Sequence, residues 1–353
     1  MKYITFAILS AMLFIGCGEN EKKEQQSEIP SYNIVENYMT RWLSEDNTDS
    51  PAFWSKDSTH LLFATAKGTD VVVVYDALTG WELNRIGGTG KAVGQMERPN
   101  GVAVFEDMLF VVERDNARLQ VFSIPEFKPL GIFGVGDLQK PYGLNVIGTK
   151  NSFTVYVTDN YETADEKVPP DSELGKRVWM YHFTNMNNTL MVSSKSHFGA
   201  TSGEGVIRVI ESIWADVEND MLLIPEEDET IRNIKVYDLK GNFKKVLQNE
   251  GVFKSQPEGL LLYKCADGSG FWIMTDQDFE KNYFYVFDRK SLDLIGRFRG
   301  ENTLNTDGIA LTQKSFSGFT RGAFFAVNND GGVSAMDLGT IMDSLKLKYN
   351  CTN

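Results

Sequence analysis

Acidic residues precede a glycine at regular intervals along this chain. Glu258-Gly259 and Asp307-Gly308 each open an apolar run, and Glu211-Ser212 does so in a degenerate copy. If these positions are equivalent in a repeat, the carboxylates converge on one axis, repel each other and need a cation. Ca²⁺ suits them, because it takes six to eight oxygen ligands in flexible geometry. Such an ion makes an acidic cleft an anion site, which points to metal-assisted phosphomonoester hydrolysis.

The repeat behind these residues consists of a polar residue, a glycine and alternating apolar residues. Its other copies begin at Asn100-Gly101 and Tyr142-Gly143. Successive copies lie roughly 40 to 50 residues apart, with one longer gap, which is the period of propeller blades. Each copy is followed by further short apolar runs separated by turn residues, as in a four-stranded blade. We therefore predict an all-β fold, a six-bladed β-propeller.

The two ends of the repeat region predict how the ring closes. The first blade begins at Asp49, and the last unit has three clear strands followed by residues 338–348, whose apolar spacing is helical. Residues 32–43 are expected to supply the missing outer strand, which would remove an exposed sheet edge. The acidic stretch 162–176 breaks the period; we predict a solvated loop within one blade, with a functional lid as the alternative.

The N-terminus has the pattern of a targeting segment. Lys2 precedes an apolar stretch, residues 4–15, which is short for a membrane span and ends in Leu13-Phe14-Ile15-Gly16-Cys17. This ending resembles a bacterial lipobox, which implies cleavage before Cys17 and its lipidation; an ordinary signal peptide is the alternative. Residues 1–16 would be the signal peptide, 17–31 a polar tether and 32–353 the propeller. The expected location is the bacterial cell envelope, lipid-anchored, at the outer membrane or cell surface.

Composition narrows the class of function. The formal net charge is -13, which disfavours nucleic acid as a partner, because phosphate contacts need clustered basic residues. The chain has three histidines, and their spacing does not fit a zinc site. Cys265 and Cys351 either pair in an oxidising compartment or remain two free thiols. We expect a monomer that contacts the membrane only through its lipid.

Further residues complete the candidate site. Asp49 precedes the first inner strand, and Glu227 and Asp276 end second strands. Lys67 and Arg114 would add phosphate contacts. The alternatives are that Lys67 is a solvated charge in a turn, that Arg114 pairs with a neighbouring acid, that Tyr142 is channel packing, and that a carboxylate before glycine only satisfies a turn.

Longer motifs resemble two known families. Residues 94–104 with 118–122 are similar to an NHL repeat, a unit of six-bladed propellers used mainly for binding. From Asp49 onward the chain resembles β-propeller phytases, calcium-dependent enzymes that hydrolyse myo-inositol hexakisphosphate. The motifs that carry this second resemblance are Asp49-Ser50-Pro51-Ala52-Phe53-Trp54, Glu211-Ser212-Ile213-Trp214-Ala215-Asp216, Ile224-Pro225-Glu226-Glu227-Asp228, Glu258-Gly259-Leu260-Leu261-Leu262-Tyr263, Ala266-Asp267-Gly268-Ser269-Gly270 and Thr306-Asp307-Gly308-Ile309.

The phytase resemblance implies roles for particular residues. The implied calcium ligands are Asp49, Glu211, Glu227, Glu258 and Asp307, and the implied phosphate contacts are Lys67, Arg114 and Tyr142. The chain departs from the family at Ser50, where the family has a second aspartate. It also departs at Asp159-Asn160-Tyr161, where the family has a lysine and a glutamate.

Three functions remain open from the sequence. The first is a Ca²⁺-dependent phosphoric monoester hydrolase of the 3-phytase kind, acting on a phosphorylated small molecule such as an inositol phosphate. In it, Glu211 or Glu258 would position the attacking water. The alternative is a non-catalytic, NHL-like propeller that binds protein or glycan. A lactonase-type propeller hydrolase is a weaker third candidate, because its ligands are also acidic and amide side chains.

Overall fold

The computed structural model describes residues 29–186, 189–247 and 251–347. The predicted signal peptide, the predicted lipidation site at Cys17 and most of the predicted tether lie outside the described residues, as does Cys351. Cys265 is buried and disulfide-bonded. No helix in the described ranges is long and apolar enough to cross a membrane.

Short antiparallel strands dominate the fold, as the apolar runs predict. The first half of the chain holds β1 (Ser31–Ile34), β2 (Tyr38–Met39), β3 (Thr48–Lys56), β4 (Thr59–Ala66), β5 (Val71–Asp76), β6 (Glu82–Gly87), β7 (Pro99–Phe105), β8 (Met108–Glu113), β9 (Arg118–Ser123), β10 (Pro129–Phe133), β11 (Pro141–Thr149), β12 (Ser152–Asp159), β13 (Val178–Met186) and β14 (Thr189–Phe198). The second half holds β15 (Trp214–Asp216), β16 (Met221–Glu226), β17 (Asn233–Tyr237), β18 (Phe243–Val246), β19 (Gln256–Lys264), β20 (Gly270–Gln277), β21 (Tyr283–Asp288), β22 (Leu294–Gly300), β23 (Ile309–Thr312), β24 (Ala323–Asn328), β25 (Gly332–Asp337) and α1 (Leu338–Ser344).

Within the described ranges these strands form six sheets, which are the blades of a propeller. Blades 1 to 4 are β3–β6, β7–β10, β11–β14 and β15–β18, each in sequence order. Blade 5 contains β19–β22 and blade 6 contains β23–β25. The innermost strands β3, β7, β11, β15, β19 and β23 contact one another in cyclic order, and β23 contacts β3 again. The predicted all-β, six-bladed β-propeller is therefore confirmed.

Side-chain alternation along the strands builds the core between neighbouring blades. In β4, Phe63 faces a cluster shared with blade 2, whereas Leu62 and Ala64 face a cluster shared with blade 6. Alternate residues of a strand point to opposite faces of its sheet, so each blade is apolar on both faces. The near-continuous apolar runs, such as Val71 to Tyr75 in β5, follow from this two-sided burial.

Residues from the N-terminus close the ring. Strand β2 pairs with β25 as the fourth strand of blade 6, as the sequence predicts. Strand β1 was not predicted: it pairs in parallel with β22 and becomes a fifth strand of blade 5. The predicted C-terminal helix is present as α1, and it packs against β1, β24 and β25.

Candidate metal and phosphate site in the central channel

Six residues surround one end of the channel, each within three residues of the start of an inner strand. They form what we call the mouth ring: Asp49, Asn100, Tyr142, Glu211, Glu258 and Asp307. The cavity along the inner strands has a volume of about 210 Å³ and is lined by five of them, all but Asn100. The repeated phrase of the sequence therefore places its polar residues around a single opening.

The glycine of each phrase allows neighbouring blades to approach closely at the ring. A Cβ at Gly143 would lie 2.0 Å from the carbonyl oxygen of Glu211, and one at Gly259 would lie 2.7 Å from that of Asp307. Gly308 meets the Asp49 carbonyl in the same way, at 2.6 Å, across the closure of the ring. A side chain at these positions would push the blades apart, so the glycines set the spacing of the mouth ring.

A second set of residues lies at the end of the second strand of each blade: five follow the strand directly, and Gln277 is the last residue of β20. This loop ring consists of Lys67, Arg114, Asn160, Glu227, Gln277 and Asn329. Its equivalence across blades is shown by the backbone. The N–H of its member in blades 1 to 4 donates to the carbonyl two residues before the mouth-ring residue: Lys67 to Asn47, Arg114 to Arg98, Asn160 to Lys140 and Glu227 to Val209. In blade 5, Gln277 pairs with Gln256, again two residues before Glu258.

Charge is unevenly distributed over these two rings. The cations Lys67 and Arg114 belong to blades 1 and 2, whereas blade 4 carries Glu211 and Glu227, and blade 5 adds Glu258. One side of the opening is therefore suited to an anion and the other side to a cation.

Three carboxylates on the acidic side lie within reach of a single ion. Glu211, Glu227 and Glu258 each offer an oxygen, and these oxygens lie within 4.8 Å of one another. We call this group the carboxylate triad. Neither oxygen of Glu227 has a hydrogen bond of normal geometry, although the residue is only 2% exposed; the backbone N–H of Glu211 is near enough only to lower the Glu227 pKa slightly. A buried ionised carboxylate without donors is costly, so the triad needs a cation or protons.

Burial and mutual repulsion raise the pKa values of the triad. Burial, reinforced by Asp49, raises the pKa of Glu211 to about 7, while Lys67 acts in the opposite direction. Burial and the neighbouring glutamates also hold the pKa values of Glu227 and Glu258 well above the usual range. The cause is shared: burial removes water, and the nearest charges are of the same sign.

Lys67 lies between the two aspartates of the ring. Its Nζ is 2.7 Å from Asp49 Oδ2 and 3.9 Å from Asp307 Oδ2, and its side chain is 10% exposed. Burial lowers the pKa of the Lys67 ammonium, but Asp49 and Asp307 outweigh this effect and the net shift is upward. Lys67 is therefore a buried, ion-paired cation and not a solvated turn residue.

The other sequence-predicted substrate contacts occupy different positions. The Tyr142 hydroxyl donates to Asp49 Oδ2 at 3.0 Å, so it belongs to the ring and does not serve only as packing. Arg114 Nε lies 3.5 Å from Asp115, and its guanidinium also lowers the pKa of Glu211 electrostatically. Arg114 is partly exposed, which leaves its other N–H groups available to a ligand.

Several carboxylates at the ends of second strands have a structural role that the sequence did not reveal. Asp159 accepts the backbone N–H groups of Gln139 and Lys140, at 3.0 and 2.7 Å. Asp276 does the same for Lys254 and Ser255, at 3.0 and 2.9 Å. The prediction that groups Asp276 with the channel carboxylates is wrong, because its oxygens hold the loop between blades. The next residue, Gln277, is the member of the loop ring, and it donates to Asp307 Oδ1.

The acidic stretch after β12 is a loop of blade 3, as predicted. It contains a 3₁₀ turn, Asp171–Glu173, and Asp171 is held by a two-pronged pair with Arg208 at 3.0 and 2.9 Å. Asn160, at the start of this loop, is the member of the loop ring in blade 3. A lysine or arginine at this position would have placed a third cation beside Lys67 and Arg114, but asparagine brings a neutral amide. The Asn160 side chain instead accepts the N–H of Ile210, at 3.4 Å.

Comparison with known proteins agrees with the resemblance over part of the chain. Residues 206–328 match the Phytase family. This segment spans β15–β24 and contains all three members of the carboxylate triad, together with Asp307; Asp49, Lys67, Arg114 and Tyr142 precede it. The resemblance to β-propeller phytases is thereby confirmed for blade 4, for β19–β22 of blade 5 and for the two inner strands of blade 6.

Two further comparisons add little about function. No curated protein matches the chain significantly. Among solved structures, a chain in the crystal structure of BBS1N in complex with ARL6DN, soaked with mercury, is similar at 12% identity with a TM-score of 0.45. That likeness covers 79% of this chain and 74% of the other.

Proposed function

We propose that this protein is a calcium-dependent phosphomonoester hydrolase of the phytase kind, with its site at the mouth of the propeller channel. The observation that carries the proposal is Glu227, a buried carboxylate with no hydrogen-bond partner, flanked by Glu211 and Glu258 within 4.8 Å. The family match over residues 206–328 supports the same activity class, because it includes all three glutamates.

The residues present fit a calcium ion. Both oxygens of Glu227 and Asn100 Oδ1 are buried near the channel without a hydrogen-bond partner, and Asp307 Oδ2 also lacks a hydrogen bond but has Lys67 Nζ at 3.9 Å. Carboxylate and amide oxygens are the ligands that calcium prefers. The triad would hold the ion, which supplies positive charge for a phosphate group and lowers the pKa of water.

The protein's own groups would orient the phosphate ester and accept its proton. Arg114 presents a guanidinium suited to two phosphate oxygens, and Lys67 adds a second positive charge at the base of the site. Glu211 or Glu258, at the edge of the ion site, would position the attacking water and accept its proton.

The test is phosphate release from phytate and from a simple phosphomonoester, with calcium and with a chelator. We expect turnover when calcium is present and none in chelator. The variant Glu258→Gln should have no turnover under either condition. Glu229→Gln, which changes an exposed glutamate of the same region, serves as the control and keeps its activity. Turnover that persists in chelator, or in Glu258→Gln, would contradict the proposal. Calcium-dependent stabilisation without turnover would identify a binding propeller instead.

The cellular setting is part of the proposal. The lipobox-like ending at Cys17 supports a lipid-anchored protein of the bacterial envelope whose tether holds the propeller away from the bilayer, and we propose that it acts as a monomer. When cells are fractionated, we expect to recover the unmodified protein with the membranes and the Cys17→Ser variant in the soluble fraction. Equal recovery of both in membranes would contradict the anchor.

A further inference from the structure

The Asp49 carboxylate already has the partners it needs from the protein itself. Its Oδ2 lies 2.7 Å from Lys67 Nζ and accepts hydrogen bonds from Tyr142 at 3.0 Å and Asn100 at 3.4 Å. Its Oδ1 accepts from the Ser50 hydroxyl at 2.9 Å. A carboxylate has about four acceptor positions, so this one is close to saturated.

The triad on the opposite side has no such internal cation. Lys67 reaches Asp49 and Asp307, but no described lysine or arginine forms an ion pair with Glu211, Glu227 or Glu258. The same ring thus contains two aspartates that share one ammonium group, Asp49 at 2.7 Å and Asp307 at 3.9 Å, and three glutamates that have none. Both sets have the oxygen chemistry of a divalent-cation site.

We propose that Lys67 is a built-in counter-cation that keeps a divalent ion away from the Asp49–Asp307 side of the channel, so that metal binds at the triad. The inference rests on the proposed calcium site and departs from the ligand set that the resemblance implies, which includes both aspartates. An ammonium and a divalent ion repel each other when they share carboxylate oxygens, and the ammonium is fixed to the chain. Residue 67 would therefore set how many ions the ring holds.

The substitution Lys67→Met removes the charge and keeps an unbranched, apolar side chain of comparable reach. It leaves Asp49 and Asp307 without an ion-paired lysine, so that they resemble the carboxylates of the triad. We expect this variant to gain one calcium site relative to the unmodified protein. Lys67→Arg, which keeps the positive charge, is the matched control and should gain none.

Calorimetric titration of the chelator-treated full protein with CaCl₂ measures the number of bound ions directly. The quantity compared is the difference in the number of bound ions between the variant and the unmodified protein. Calcium sites elsewhere in the protein contribute equally to both and do not affect this difference. A double substitution, Lys67→Met with Asp307→Asn, should return the stoichiometry to that of the unmodified protein. An unchanged or lower ion count in folded Lys67→Met overturns the inference. If Lys67→Met unfolds in chelator, millimolar calcium must restore its folding, and failure to do so overturns the inference too.

Glu227→Gln separates this inference from the proposed function. If calcium binding of Glu227→Gln equals that of the unmodified protein, the triad is not the site and the proposed function fails with it. If Glu227→Gln loses one ion and Lys67→Met gains none, the triad site stands and the role of Lys67 alone is refuted.

Discussion

Two adjacent glutamates, Glu226 and Glu227, allow a sharp test of what a buried carboxylate does here. They are 0% and 2% exposed. The Glu226 carboxylate accepts the backbone N–H groups of Arg208, Val209 and Asp228, at 2.8, 3.0 and 3.2 Å. The Glu227 carboxylate has no hydrogen-bond partner and faces two other glutamates. The same substitution, glutamate to glutamine, should therefore change stability in opposite directions.

In chelator we expect Glu227→Gln to be more stable than the unmodified protein. Two ionised carboxylates with oxygens 4.8 Å apart repel by about 3.5 kcal/mol at an effective dielectric constant of about 20. The raised pKa values mean that protons already relieve part of this repulsion at neutral pH. A gain of about 1–3 kcal/mol in the free energy of unfolding remains. For a domain of this size, each kcal/mol raises Tm by at most roughly 2–4 °C.

Glu226→Gln should lose about 1–3 kcal/mol under the same conditions. Glutamine offers one oxygen where three N–H groups need acceptors, and it places its NH₂ against a donor. The loss should be the same with and without calcium, because Glu226 serves the loop and not the ion.

Calcium should reverse the order of the unmodified protein and Glu227→Gln. A ligand at 100 times its Kd stabilises the folded state by about 2.7 kcal/mol, and the variant that lacks a ligand oxygen forfeits most of this. The assay is urea unfolding of the three proteins in chelator and in calcium. Lower stability of Glu227→Gln than of the unmodified protein in chelator, or equal stabilisation of the two by calcium, would contradict these expectations.

Three further predictions concern the surroundings of the site. Gly143→Ala places a Cβ 2.0 Å from the Glu211 carbonyl oxygen, so we expect a loss of about 1–3 kcal/mol in urea unfolding and weaker calcium binding. Burial raises the pKa of Asp159 to about 6, so its contribution to stability is present at low pH and lost as pH rises through 6. Between pH 7 and pH 5 the unmodified protein should gain about 1 kcal/mol relative to Asp159→Asn in calcium. Arg289→Met leaves the buried Asp216 without its cation and should cost about 3–5 kcal/mol by urea unfolding, with calcium stoichiometry unchanged.

Each of these has a comparison that would contradict it. Gly175→Ala adds a Cβ with an ordinary 3.5 Å contact, and an equal loss there would show that Gly143→Ala acts through backbone propensity and not through crowding. An identical pH dependence in Asp159→Asn would assign the titration to another group. A stable Arg289→Met would show that Asp216 finds another partner or a proton.

The sequence predicts the mouth ring because one short repeated phrase carries two signals. Its alternating apolar residues predict the inner strand, and its glycine allows the neighbouring blade to pack closely against that strand. Glycine at 143, 259 and 308 is required where a blade meets the carbonyl group of the next, so the phrase recurs at most blade starts, whereas blades 1 and 4 have Ser50 and Ser212 at this position. The polar residue before the glycine then lies at the opening by geometry alone. This is why the repeat by itself is enough to group Glu211, Glu258 and Asp307.

The sequence could not assign carboxylates that differ by one position. Glu226 and Glu227 are adjacent and of the same type, and only the strand register decides which one bonds the loop and which one faces the channel. The same ambiguity made Asp276 look like a channel residue. The ion pairs of Lys67 with Asp49 and with Asp307 could not be predicted from the sequence either. Asp307 belongs to blade 6, and only closure of the ring brings it beside Lys67 and Asp49 of blade 1.

The strands that close the propeller impose an order on its folding. Strand β2, near the start of the chain, completes blade 6, whose other strands end at Asp337, and the Asp337 N–H donates to the side chain of Asn37. Strand β2 therefore meets its partner only after nearly all of the propeller has been made. Until then β2 has no partner strand, and blade 1 exposes the apolar face that packs on blade 6, the kind of surface on which nascent chains aggregate. Folding of this protein thus requires that these surfaces be shielded, during synthesis or export, until the strands of blade 6 have been made.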